Sequence, residues 1–221
     1  MKNYTSDLYQ RLKTYSGIFE CHITVALPPN QPEKLLLFEN ICKNLGGKAI
    51  IIQLTNGITP THPMIGKILK GDADAVLSQI LALIDGLSRY FSIIRLKIEA
   101  GISNNNLPVT TKDAELLPSS CYFEYHLKML LDKAYDLKQL RALFLPYHGY
   151  VSKNTLKKDN NNNSHWESRF VTQRFRLSKM EAEEHLSELL VFVNTQNIKI
   201  QKVIREFNIF DSNSDLDAGW I

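Results

Sequence analysis

Cysteine is scarce in this sequence and does not pair up. Cys21, Cys42 and Cys121 are three in number, and no two of them stand in a CxxC spacing. Neither a disulfide framework nor a zinc knuckle is implied, and a reducing cytosol fits best. Long hydrophobic runs are missing as well: no segment approaches the roughly 20 apolar residues of a membrane helix. The opening MKNYTSDLYQRLKTYSG lacks the continuous apolar core of a secretory signal and reads as a short amphipathic helix through Leu8, Leu12 and Tyr15. The expectation is a soluble, cytoplasmic protein with no membrane segment. Nor is there a strong charge of one sign. Lys and Arg number 26 against 23 Asp and Glu, a net +3, which is too mild for neutralising phosphates along a duplex, so nucleic acid is not indicated as a partner.

What the chain does contain is repetition. FECHITV at 19–25 and FEYHLKM at 123–129 share the form Phe-Glu-x-His with alternate residues apolar, and their histidines are offset by 126 − 22 = 104 residues. After each comes a helical pattern: Pro32 near a first turn, apolar Leu35, Phe38, Ile41 and Cys42, then Gly46; and Asp136 as N-cap, Leu137, Leu140 and Phe144, then Gly149. Two extended segments follow in each half, AIIIQLT and MIGKILK, then YVSKNTL and RFVTQRFRL. A second helix begins at Asp72 in the first half, and behind a Ser178/Glu181 capping box in the second. IIRLKIE and VIREFNIF close the halves, both with an Ile-Arg pair, offset by 205 − 95 = 110.

That order is βαββαβ twice, so the expected fold is α+β, a tandem duplication of a ferredoxin-like unit with antiparallel sheets and helices on one face. The boundaries read as a helix over 1–17, a first repeat over 18–100, a linker over 101–120, a second repeat over 121–211 and a tail over 212–221. The run KKDNNNNS at 157–164 reads as a mobile, lengthened hairpin loop.

Strand alternation sends Phe19, Cys21, Ile23 and Val25 toward the helices and Glu20, His22 and Thr24 to the other face. In the second copy Glu124, His126 and Lys128 take that other face, with Thr172, Arg174 and Arg176 in the matching phase of the neighbouring strand. Arg95, Lys97 and Glu99 share a phase in IIRLKIE. Two histidines could then serve as acid and base on a phosphate held by Thr24, Lys128, Arg174 and Arg176, with Glu20 and Glu124 beside them. The plainer reading is a polar face that meets water, its charges paired across strands.

HITV resembles the His-x-Thr-hydrophobic signature of the 2H phosphoesterases, a family of duplicated α+β lobes with one such motif per lobe. The resemblance implies phosphodiester hydrolysis with His22 and His126 as acid and base and Thr24 on the phosphate. The second copy reads HLKM, with Lys128 in the place of that threonine. A non-catalytic module that binds a small anionic ligand or a protein partner is the alternative, and an interaction scaffold a third reading. Glu20, His22, Glu124 and His126 also have the chemistry of zinc, iron or manganese ligands, but a separation of 104 residues imposes no geometry, so no metal and no cofactor is assigned. The tail DSNSDLD has Leu216 where a calcium loop needs glycine and reads as an ordinary polar tail, with Trp220 as a hydrophobic clamp. His62, His148, His165 and His185 read as loop or helix-surface residues. Oligomeric state is left open.

Overall fold

Local capping chemistry sets most helix starts. In the computed structural model, which describes residues 5–28, 30–118, 120–156 and 165–221, Asp72 caps α3 (Ala73–Ser88) by accepting from the amide of Ala75 at 2.8 Å. Asp136 caps α5 (Leu137–Phe144) through the amide of Lys138. Ser178 and Glu181 form the reciprocal box ahead of α6 (Lys179–Thr195), and a second box, Thr110 with Asp113, starts the short α4 (Thr111–Glu115). Proline at the first turn opens α2 (Pro32–Asn44), and α1 spans Thr5–Thr14. The run 157–164, expected as a loop, lies outside the described residues.

The strands are β1 (Ile18–Val25), β2 (Lys48–Leu54), β3 (Thr61–Lys70), β4 (Ile93–Gly101), β5 (Tyr122–Asp132), β6 (Tyr150–Asn154), β7 (Trp166–Phe175) and β8 (Lys199–Asp211). The fold is therefore mixed α+β, with the order βαββαβ occurring twice, once from β1 and once from β5. No helix among the described residues is long and apolar enough to cross a membrane.

Contacts divide the chain into two units. The first comprises residues 1–51, 62–107 and 207–216, and the second 52–61, 108–206 and 217–221. Neither is continuous in sequence. In the first unit β1 is central, antiparallel to β3 on one side and β4 on the other, with β2 beyond β3 and the end of β8 beyond β4. In the second, β5 is central between β7 and β8, and β6 pairs with both β7 and residues 52–54.

The apolar phase of each central strand is buried as the alternation requires: Phe19, Cys21, Ile23 and Val25 in the first unit, and Phe123, Tyr125, Leu127 and Met129 in the second. In the first unit Phe38, Val76, Ile80 and Leu87 are buried on the helices, and Phe38 meets Phe91 edge-on at 5.6 Å. In the second, Phe144, Leu186, Leu189 and Val193 are buried, while Tyr147 stacks on Phe192 at 4.2 Å. Burial of this kind contributes roughly 1.5–3 kcal/mol for each large side chain.

The opposite phase departs from expectation. Instead of a solvated face it is a buried polar row: Thr24, Arg95, Lys97, Glu99, Glu124, Thr172 and Glu206 are all buried. Charges can lie there because they pair with one another. The Ile-Arg alignment of the two last strands is also out of phase. Arg95 lies in the polar row, whereas Arg205 reaches Glu183 of α6 at 3.2 Å. His62 is a third departure, a buried strand residue of β3.

Ser178→Ala is expected to destabilise the protein by about 1 kcal/mol, read as a lower urea midpoint. The hydrogen bonds of Ser178 hold the Glu181 carboxyl below its ordinary value. A depressed folded value gives stability that is present above the unfolded value and lost as pH falls through the folded one. Glu181→Gln should therefore flatten that part of the acid limb of the stability curve.

Candidate functional sites: a glutamate-flanked histidine in each unit

In the first unit the register sets His22 opposite Gly66 of β3 and Lys97 of β4, Glu20 opposite Glu99, and Thr24 opposite Arg95. Residues two apart on a strand share a face, so Glu20 and His22 project together. His22 Nε2 lies 3.1 Å from Glu99 Oε2 and 3.5 Å from Glu20 Oε1. Lys97 Nζ meets the other oxygen of Glu99 at 2.7 Å. Burial works against a charged imidazole, but the hydrogen bond and charge of Glu99, joined by the charge of Glu20, outweigh it, so the pKa of His22 is raised.

The opposite edge of that ring faces Gly66, whose Cβ position the Ile50 side chain already crowds. A Cβ there would stand 3.4 Å from His22 Nδ1 and 2.7 Å from the Ile50 side chain. Nδ1 is buried and has no hydrogen-bond partner among the described residues. Beyond Thr24, Arg95 grips Asp211 through two parallel contacts, Nε to Oδ1 at 2.9 Å and Nη2 to Oδ2 at 2.5 Å.

The second unit repeats the theme with different neighbours. His126 Nε2 lies 3.7 Å from Glu124 Oε2 and 3.7 Å from Glu206 Oε2. Across from it Thr172 takes the place that Gly66 has in the first unit, and its hydroxyl meets His126 Nδ1 at 2.8 Å.

Arg174 does not stand beside His126. The register sets it opposite Glu124, to whose Oε1 it donates from Nε and Nη2 at 3.0 and 2.8 Å, while Nη2 also meets Asp217 at 2.6 Å. Its guanidinium lies 4.4 Å from the centre of the Tyr122 ring. Burial opposes its charge, but Glu124 and the other acidic neighbours drive its pKa above the ordinary arginine value. Arg176 lies past the end of β7 and is exposed, so it takes no part in the row. Lys128 stays in the His126 phase, half-buried, two residues along β5.

The structure thus joins Glu20 with His22, and Glu124 with both His126 and Arg174. The neighbours not predicted from sequence are Glu99, Lys97, Thr172, Glu206 and Asp217. Glu99 and Thr172 had the right strand phase. Glu206 becomes legible once the last strands are offset by 206 − 99 = 107 rather than 110, because an odd difference of three turns every side chain to the other face. The tail is not merely polar, since Asp211 and Asp217 each bind a buried arginine. Trp220 is the clamp expected, buried with Nε1 donating to the Val151 carbonyl at 3.2 Å.

No family model matches the chain, and no curated protein does. Among solved structures, the acetolactate synthase small subunit from Thermotoga maritima is similar at 15% identity over 88% of this chain and 96% of that one, with a TM-score of 0.30. Chlorite dismutase from Candidatus Nitrospira defluvii, in complex with imidazole, is similar at 14% identity over 94% and 95%, with a TM-score of 0.29. Likenesses of this size say nothing about the chemistry of this chain.

Removing the Arg174 guanidinium strands two buried carboxylates. Arg174→Gln should cost about 3–5 kcal/mol of stability by urea denaturation. Arg174→Lys should recover only part of that, because an ammonium cannot reproduce the forked contact.

Proposed function

We propose that the chain is a tandem of two ferredoxin-like units, each of which binds a divalent metal cation through a carboxylate–imidazole–carboxylate set: Glu20, His22 and Glu99 in the first, and Glu124, His126 and Glu206 in the second. One observation carries this reading. In both units a histidine Nε2 is flanked by two glutamates, one two residues before it and one from the last strand, at 3.1 to 3.7 Å. Metal bonds of about 2.0–2.2 Å to nitrogen and oxygen hold neighbouring donors roughly 3.0–3.6 Å apart in tetrahedral or octahedral geometry. The histidine-to-glutamate spacings lie within that range in the first unit and just beyond it in the second, and the two glutamates of each set would have to close toward one another on the cation. Mixed nitrogen and carboxylate donors suit zinc, manganese or iron.

The sign of the charge argues in the same direction. Two carboxylates beside each imidazole favour a cation and oppose a phosphate. The basic groups nearest them are already engaged, Lys97 by Glu99 and Arg174 by Glu124 and Asp217.

A second reading keeps the phosphoester hydrolysis that HITV implies, in a metal-assisted form. Thr24 stands opposite Arg95, and His22 opposite Lys97, so polar and basic groups adjoin the first set. There a cation held by Glu20, His22 and Glu99 would meet the phosphate charge and activate the attacking water, with His22 as a ligand of the cation.

Titrating the chelator-treated protein with Zn²⁺ or Mn²⁺ by calorimetry should give saturable binding, weakened at least tenfold at the corresponding site by His22→Ala or His126→Ala. Heat changes that stay the same in the double variant would discard the cation reading. Turnover of bis(p-nitrophenyl) phosphate that requires Mn²⁺ and disappears in His22→Ala would establish the hydrolase; metal binding without turnover would leave a binding module.

A further inference from the structure

A cavity of about 270 Å³ in the second unit lies away from the polar row. Lys138 and Arg141 of α5, Tyr150, Trp220, Thr55 and Asn56 are among the residues that line it. Lys138 and Arg141 are three residues apart and therefore lie on one helix face. Both are exposed, and neither side chain has a carboxylate partner among the described residues. The nearest acid in sequence, Asp136, is engaged in capping the helix through the amides of Lys138 and Gln139.

The part of the lining around Trp220 is held in place before any ligand arrives. Trp220 Nε1 donates to the Val151 carbonyl, and Asn56 Nδ2 to the Gly219 carbonyl at 2.5 Å. The Ile58 amide donates to Ala218 at 3.0 Å, and Thr55 Oγ1 to Val151 at 3.0 Å. Tyr150 meets the Trp220 ring edge-on at 6.0 Å. Ordering these groups in the free protein removes part of the entropy that binding would otherwise cost. A concave site with apolar walls, a few fixed polar groups and unneutralised cations at its edge has the make-up of a small-molecule site.

The geometry points to a binding site for a small organic anion here: a phosphate or carboxylate, held by Lys138 and Arg141, on a flat apolar body that lies against Tyr150 and Trp220. Such a site is independent of the cation sets, and it supplies the anion recognition that the engaged cations of the strand row do not.

The sequence contains two tryptophans, and the other, Trp166, is half exposed on β7. In the full-length Trp166→Phe protein, emission therefore reports on Trp220 alone. Phenyl phosphate and benzoate should each change that emission saturably, and inorganic phosphate should bind at least tenfold more weakly than phenyl phosphate. Lys138→Glu with Arg141→Glu, both at exposed helix positions, should weaken phenyl phosphate at least tenfold while leaving the far-ultraviolet spectrum unchanged. The proposal is overturned if neither organic anion gives a saturable change, if inorganic phosphate binds as tightly as phenyl phosphate, or if the charge-reversed protein binds as well as the parent. A response to only one of the two organic anions would support the site and identify its head group.

Discussion

A carboxylate withdrawn from water needs a cation or a donor beside it, and both units are arranged around that need. Glu99 and Glu124 are 1% and 2% exposed, and each faces a basic side chain and a histidine on the same sheet surface. Desolvation of an unpaired ion would cost several kcal/mol, so loss of either partner in these contacts is strongly destabilising. They also fix register. Sliding a central strand by one residue would turn its glutamate toward Phe38, Ile80 or Leu186 and its phenylalanine into the polar row.

Much of the fold was legible because it is written in short-range patterns. Period-two alternation marked both central strands, and the caps at Asp72, Asp136 and Ser178 stand where the side-chain chemistry required them. Burial of the polar row was not legible, since alternation tells the two faces of a strand apart without saying which of them meets water. The pairing of Arg174 with Asp217 left no signal at all, because its partners are 43 residues apart and the tail has no pattern of its own. Glu206 was hidden by a coincidence: the repeated Ile-Arg dipeptide offered an alignment of the last strands three residues from the one that their roles require.

The duplicated Glu-x-His was the right place to look, yet its partners change what it means. Read alone, two histidines near arginines suggest acid–base work on an anion. Set beside Glu99 and Glu206, the same rings sit in negative surroundings, and Arg174 is held by Glu124 and Asp217. The candidate anion site proposed above lies instead on α5, a helix that the repeat pattern marked by its apolar stripe and its cap, where Lys138 and Arg141 have no carboxylate partner among the described residues.

Gly66 in the first unit and Thr172 in the second give the two histidines different hydrogen bonding. His126 is held at both ring nitrogens, by Thr172 at Nδ1 and by Glu124 and Glu206 at Nε2, so its angle is set by the strands around it. His22 is held at one. Its Nδ1 edge faces Gly66 beside the Ile50 side chain and has no hydrogen-bond partner among the described residues. One hydroxyl therefore separates an imidazole bonded at both nitrogens from one bonded at a single nitrogen, in two units that share the same order of strands and helices.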